Sequence, residues 1–258
     1  YAKEEEAQTL EICLGDGASG LEAVLFYGVL PKYDVITRSV CLTNRGTEPV
    51  VLHKASTLCL DFIWGDYDLL RFYGRHAMER NLERAPIAHG MTSIGSRRGA
   101  SSHQYNPFMI VADRNAGEED GRCYGLSFVY SGNFKGEAEK DQYGQTRVIM
   151  GLQDELFSYR LKPGEAFYGP EVILSYSGEG IGKLSRNFHK VIRHNLCRGK
   201  FKEMPRPVLV NNWEATYLDF TGEKICEIGR QAAELGIEML VLDDGWFGKR
   251  DSDSVSLG

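Results

Sequence analysis

No stretch of this chain stays apolar long enough to cross a bilayer. Its longest apolar runs, such as Met239–Leu242 and Val172–Leu174, fall far short of the roughly 20 residues a spanning helix needs, and a membrane protein is not expected. Basic excess is missing as well: Lys+Arg of 30 against Asp+Glu of 36 gives a formal net charge of −6 and a pI near 5.6. No basic run offers the positive face that a phosphate backbone requires, which argues against nucleic acid as a partner. The six cysteines (Cys13, Cys41, Cys59, Cys123, Cys197, Cys226) contain no C-x-x-C pair, and the six histidines no H-E-x-x-H. Zinc-ligand spacing and a disulfide scaffold are both lacking, so no metal and no cofactor is implied. The thiols, several of them inside apolar runs, are expected to be buried and free, which suits a reducing, cytoplasmic location. An initiator Met is absent. Tyr1–Glu6 resembles no signal or targeting segment, and the chain stops in a polar stretch, Asp251–Gly258. Both ends are expected to be cut from something larger.

What is present is ordinary globular composition: 258 residues, 42% hydrophobic and 26% charged. That is enough for one large domain or up to two typical ones, burying roughly 70–75% of the unfolded surface without a metal or disulfide staple. From about residue 8 to 176 the pattern is β. Tyr124, Leu126, Phe128 and Tyr130 alternate with Cys123, Gly125, Ser127 and Val129, and Leu58, Leu60 and Phe62 with Cys59 and Asp61, the two-residue period of a pleated strand. Tyr33–Asn44 is rich in Val, Ile and Thr and runs into the turn signal Asn44-Arg45-Gly46. Phe157–Leu161 meets Lys162-Pro163-Gly164-Glu165, a tight turn, and extended chain resumes from Phe167 to Tyr176. Short strands with Gly-rich turns predict an antiparallel sandwich. Ile94–Asn106, polar and rich in Gly and Ser, reads as a long loop.

The period changes near residue 180. Leu184, Phe188, Val191, Ile192 and Asn195 fall at helical spacing, with Gly199 as a stop, and Met204-Pro205-Arg206-Pro207 favours an extended linker. Beyond it Val208–Val210 reads as a strand. Thr221 is placed to cap a helix whose Ile225, Ile228, Ala232 and Leu235 form one apolar face ending at Gly236. Ile237–Leu242, apolar on both faces, reads as a second strand covered by helices. Strand, helix and strand make one βαβ unit, the opening of an α/β domain.

Sites in such sheets form at the carboxyl ends of the strands. Two polar clusters lie there, Asn211-Asn212-Trp213-Glu214 and Asp243-Asp244-Gly245-Trp246. Adjacent strand residues point to opposite faces, so both carboxylates can meet one cleft only if the backbone turns at the pair, and Gly245 permits that turn. Two carboxylates beside an indole suit a sugar: the oxygens accept from hydroxyls and the ring covers the C–H face. Residue types alone leave a second possibility open, that Asp-Gly is turn chemistry and Asp244 a helix cap.

The runs Val210–Tyr217 and Leu242–Arg250 (Leu-Asp-Asp-Gly-Trp-Phe-Gly-Lys-Arg) resemble the start of the catalytic barrel of family 36 α-galactosidases, the melibiases. Ser101–Phe108 resembles a motif of the same family's N-terminal β-sandwich; on residue types His103 and Gln104 suit a domain-interface hydrogen-bonding pair, with His103 read as a buried, satisfied side chain rather than a catalytic one. The resemblance implies a multidomain β then α/β chain: an N-terminal antiparallel β-supersandwich over residues 1–178, a linker helix and Pro-containing linker over 179–205, and the first βαβ unit of a (β/α)8 barrel over 206–258. It implies retaining hydrolysis of terminal α-galactosides such as melibiose and raffinose, by two carboxyl groups about 5–5.5 Å apart. In the family these follow the fourth and sixth barrel strands, so they are expected C-terminal to Gly258 and no catalytic residue is assigned here. Asp243 and Asp244 match the pair that holds the galactose hydroxyls at C4 and C6, and Trp213 the aromatic lining the sugar pocket. Trp246 could contact sugar or lie beneath the loop. Trp64–Leu70 and Arg75–Arg80 resemble a segment that reaches a neighbouring subunit's site in a homo-oligomer, commonly a tetramer, with Asp68 and Arg80 as candidates there and a solvated loop as the alternative. A galactosyltransferase or an α-N-acetylgalactosaminidase of the same architecture, or a non-catalytic β-sandwich binding or oligomerisation module, would carry the same features.

Overall fold

The computed structural model describes residues 7–256; the reading of Tyr1–Glu6 and the last two residues of the polar end lie outside them. The chain divides into two compact units between Cys197 and Arg198. Among the described residues no helix is long and apolar enough to cross a membrane.

The first unit is built on a nine-stranded sheet. Along it lie Gln8–Gly15, Leu21–Leu30, Val35–Asn44, Glu171–Ser177, Cys123–Val129, Tyr105–Asp113, Tyr67–Arg75 and Met78–Pro86, every neighbour antiparallel, with Ala166–Tyr168 also paired to Val35–Asn44. A three-stranded antiparallel sheet (Phe134–Lys140, Thr146–Leu152, Ser56–Phe62) faces it. Between them lies a core in which Leu58, Phe134 and Val148 of the small sheet meet Leu69, Met109, Val111, Leu126 and Val172 of the large one. The turns are those their residues dictate. Gly164 takes φ +78 with the Glu165 N–H donating to the Lys162 carbonyl (3.0 Å), and Asn44 Oδ1 accepts from the Gly46 N–H (2.9 Å).

The large sheet is apolar on both faces at its centre. Leu70, Ile110, Ala112, Cys123 and Ile173, the sequence neighbours of the first core's residues, point the other way into a second core beneath Leu184, Phe188 and Val191 of the helix Gly180–Val191. That helix therefore belongs to the first unit and is not a linker: three buried apolar side chains one to two turns apart fasten it to the sheet. It continues as a wider turn over Ile192–Leu196. Phe188 settles where the sheet has no side chain. A Cβ on Gly125 would stand 2.4 Å from Phe188 Cε2 and 3.2 Å from Leu184 Cδ2. Gly125→Ala is accordingly expected to destabilise the chain by about 1–3 kcal/mol, through overpacking, as a lower urea midpoint at unchanged slope.

Several expectations need correction. Ile94–Asn106 is not loop throughout, since its ends lie in the strands Gly90–Gly95 and Tyr105–Asp113. The six thiols are free, but only Cys41 and Cys123 are buried. Cys59 lies on the outer face of its strand, between Leu58 and Leu60, Cys13 is on the exposed sheet edge, and Cys226 is on the open side of its helix. An apolar neighbourhood in sequence says nothing of which face a strand residue takes.

The second unit holds a parallel pair, Leu209–Asn211 with Met239–Val241, joined by the helix Gly222–Glu234. Thr221 Oγ1 accepts from the Lys224 N–H (3.3 Å), capping the helix, and Gly236 leaves it at φ +79. The helix approaches the second strand at Gly229, where a Cβ would lie 3.5 Å from Leu240 Cδ2. Leu235 does not join the apolar face. It is the C-cap residue, already off helical geometry, and is 81% exposed. The second strand is also shorter than Ile237–Leu242, because Gly236 to Glu238 are spent on the turn.

Candidate functional site

The register of the parallel pair sets Asn211 beside Val241 at the carboxyl ends of the two strands. Both polar clusters therefore emerge at the same edge. Asn212 is fully buried and stitches them together: its N–H donates to the Val241 carbonyl (3.2 Å), its Oδ1 accepts from the Asp243 N–H (2.8 Å), and its Nδ2 donates to Thr216 Oγ1 (2.8 Å). A buried amide with both ends satisfied stabilises one arrangement of two loops. Asn211, exposed beside it, donates from Nδ2 to Asp243 Oδ2 (2.6 Å) and accepts the Trp213 N–H on Oδ1 (2.8 Å). Trp213 opens a one-turn helix, Trp213–Thr216, half-buried and edge-on to Tyr217 with ring centres 5.3 Å apart.

The chain turns at the acidic pair as the sequence requires. Gly245 adopts φ +93, and a Cβ there would crowd Phe220 and Leu218 at 3.0–3.2 Å. Asp243 is exposed, with Oδ1 accepting from the Asp244 N–H (2.8 Å). Asp244 is half-buried; its Oδ1 accepts from the Gly245 N–H (2.8 Å), and Arg250 grips both oxygens, Nε at 3.0 and 2.9 Å and Nη2 at 2.7 Å. Hydrogen bonding to that guanidinium holds the Asp244 carboxyl below the usual carboxylate range, and the carboxylate in turn raises Arg250. The Asp-Gly turn exists and leaves Asp243 open to solvent, but among the described residues no helix follows it, so Asp244 is not a helix cap. Trp246 is 68% exposed, edge-on to Phe247.

Asn211 links Asp243 to the Trp213 backbone, and the Asp244 N–H donates to Asp243, while Arg250 ties Asp244 to the turn that follows. Asp68 and Arg80 are not brought together. They sit at opposite ends of one hairpin, Tyr67–Arg75 with Met78–Pro86, about 20 Å apart by strand rise. Asp68 is a buried strand residue, not part of a solvated loop. Arg84 Nε donates to its Oδ2 (2.7 Å), while the rest of that guanidinium donates to the carbonyls of Asp113, Arg114 and Ala116. Arg80 stands by the hairpin turn at φ +55, an unusual conformation for a non-glycine residue. Trp64 is 84% exposed, and His103 is exposed rather than tied into a buried pair with Gln104. Among the described residues no group of three or more His, Cys, Asp or Glu side chains is placed to hold a metal ion.

Residue type alone does not single out Arg250, Asn211 or Asn212. Their signal is an asparagine doublet closing an apolar strand and an arginine six residues after the second aspartate, and only the strand register gives those spacings a meaning.

A large antiparallel sandwich followed by a parallel strand–helix–strand unit, with its polar residues at the carboxyl ends of the strands, is a β domain joined to the opening of an α/β barrel. The chain belongs to glycosyl hydrolase family 36: the family's N-terminal domain model matches residues 1–162, and the melibiase model matches residues 166–258. It is 58% identical over 258 residues to the bifunctional alpha-galactosidase/sucrose kinase AgaSK of Mediterraneibacter gnavus, covering all of this chain and 28% of that protein. To alpha-galactosidase AgaA of Geobacillus stearothermophilus it is 51% identical, covering 99% of this chain and 35% of that one. The crystal structure of AgaA superposes with a TM-score of 0.97 over all of this chain and 36% of its own, and variants of AgaA have been solved with stachyose and with raffinose. The chain therefore spans about a third of the length of these relatives.

Proposed function

We propose that this chain is the N-terminal part of an α-galactosidase that hydrolyses terminal α-galactosides of the raffinose type with retention of configuration. The observation that carries this is the acidic pair at the carboxyl end of a barrel strand, one carboxylate open and one clamped, beside the half-buried Trp213. In this reading Asp243 and Asp244 accept the hydroxyls at C4 and C6 of galactose, and Trp213, with Trp246 in a lesser role, covers its apolar face. An axial hydroxyl held by a charged acceptor is what tells galactose from glucose. The nucleophile and the acid/base lie outside residues 1–258, about 5–5.5 Å apart as retention requires.

The sandwich domain extends through the helix Gly180–Val191 that packs on its sheet, the connection follows Cys197, and residues 206–258 form the opening of the barrel. The whole protein is cytoplasmic and forms a homo-oligomer, a tetramer, in which the hairpin bearing Asp68 and Arg80 approaches a neighbouring subunit. Full-length protein supplied with a chromogenic α-galactoside is expected to turn it over, releasing α-galactose first by proton NMR, and to leave the matching α-glucoside untouched. Residues 1–258 alone are expected to give no turnover. Release of β-galactose, or equal rates on the glucoside, would refute the reading.

A further inference from the structure

Arg250 is the cation that meets Asp244, and all three nitrogens of its guanidinium are engaged. Nε and Nη2 grip Asp244, while Nη1 donates to the carbonyls of Ser252 (2.6 Å) and Val255 (2.9 Å). Its side chain is only 10% exposed, against 26% for that of Asp244. One arginine thus ties the carboxylate to the turn that follows it. A planar fork can do this; a lysine, with a compact ammonium, could not hold both oxygens and two carbonyls at once.

A carboxylate offers about four acceptor positions. On Asp244 three donors are already in place: the Gly245 N–H, the Nε–H shared between both oxygens, and Nη2–H. On Asp243 there are two, the Asp244 N–H and the Asn211 amide, and among the described residues no cation pairs with it. The neighbouring aspartates therefore have different capacities for an incoming hydroxyl. Asp244 keeps about one position, in a direction fixed by the clamp, and Asp243 about two.

We propose that Arg250 is the positioning residue of the galactose subsite: it clamps Asp244 so that this carboxylate presents a single, directed acceptor, and leaves Asp243 as the principal acceptor of sugar hydroxyls. The inference rests on the sugar-binding reading of the acidic pair and adds to it a division of labour and a residue that controls it. Arg250 touches no sugar in this scheme. It acts by holding Asp244.

A double-mutant cycle in the full-length protein tests it, with kcat/KM on a chromogenic α-galactoside and the galactose inhibition constant as readouts. Arg250→Ala is expected to lower kcat/KM by 10- to 100-fold and weaken galactose inhibition in proportion. In an Asp244→Ala background the same substitution is expected to change either readout by less than threefold, because nothing remains for it to position. Arg250→Lys is expected to keep the thermal midpoint close to that of the parent protein and still lose at least tenfold, which guards against an alanine variant that simply fails to fold. Equal losses from Arg250→Ala in both backgrounds, or full activity in Arg250→Lys, would overturn the proposal. If Asp243→Ala and Asp244→Ala themselves leave activity intact, the underlying site reading fails instead, and the two failures are distinguishable.

Discussion

Asp243→Ala in the full-length protein is expected to lower kcat/KM for an α-galactoside by about 150- to 25,000-fold, while the thermal midpoint moves by no more than a few degrees. In the proposed galactose site Asp243 carries the open side. Its carboxylate is exposed and unclamped, with about two acceptor positions free. Each hydrogen bond from a hydroxyl to a charged acceptor contributes about 1.5–3 kcal/mol, so losing two costs about 3–6 kcal/mol of binding, and every 1.36 kcal/mol is a factor of ten. Stability changes little because the substitution removes only the hydrogen bonds from the Asn211 amide and the Asp244 N–H, both at an exposed loop. Steady-state kinetics together with a melting curve check both halves. A loss below tenfold would mean that sugar hydroxyls are held elsewhere.

The second large effect is one of folding. Phe134→Ala is expected to destabilise the chain by about 3–5 kcal/mol, the cost of deleting an aromatic side chain from a core that cannot collapse around the gap. Phe134 is fully buried between the two sheets, and its backbone carbonyl also accepts from the Ser96 N–H (3.0 Å). Because that hydrogen bond belongs to the main chain it survives the substitution, so the loss reports packing alone. A denaturation midpoint compared with that of Leu82→Ala, an exposed apolar position on the edge strand, isolates the core contribution: the second variant should shift stability by less than about 0.5 kcal/mol.

Much of this architecture is legible in the residues themselves. Alternation locates the strands around Leu58 and Leu126, because a pleated backbone forces neighbours to opposite faces. Thr221 and Gly236 bracket a helix, since each satisfies backbone groups that a helix end leaves open. The acidic pair with Gly245 declares a turn at a strand end. Three things are not legible. Strand periodicity does not say whether the second face is wet, so nothing in the Cys123–Val129 pattern alone shows that Cys123 and Gly125 lie under a helix. Helical periodicity around Leu184 shows an apolar stripe but not its partner, so from the sequence a packed helix is indistinguishable from a linker. The site's wiring depends on Asn211 lying beside Val241, a pairing of residues far apart in sequence. Local pattern carries local geometry, and the residues that connect distant segments become visible only when the register is known.

The central strands of the large sheet serve two cores at once, one on each side, and this changes what keeps them in register. In a sheet with one wet face, slipping by a residue turns apolar side chains to water, and solvation forbids it. Here a slip would exchange one dry environment for another. What forbids it is size: Leu126 would have to enter the space that Phe188 occupies above Gly125. Over evolutionary drift such strands are free to trade one hydrocarbon for another but not to alter the order of large and small, so homologues should preserve a rhythm of volumes here more faithfully than the identity of any single residue.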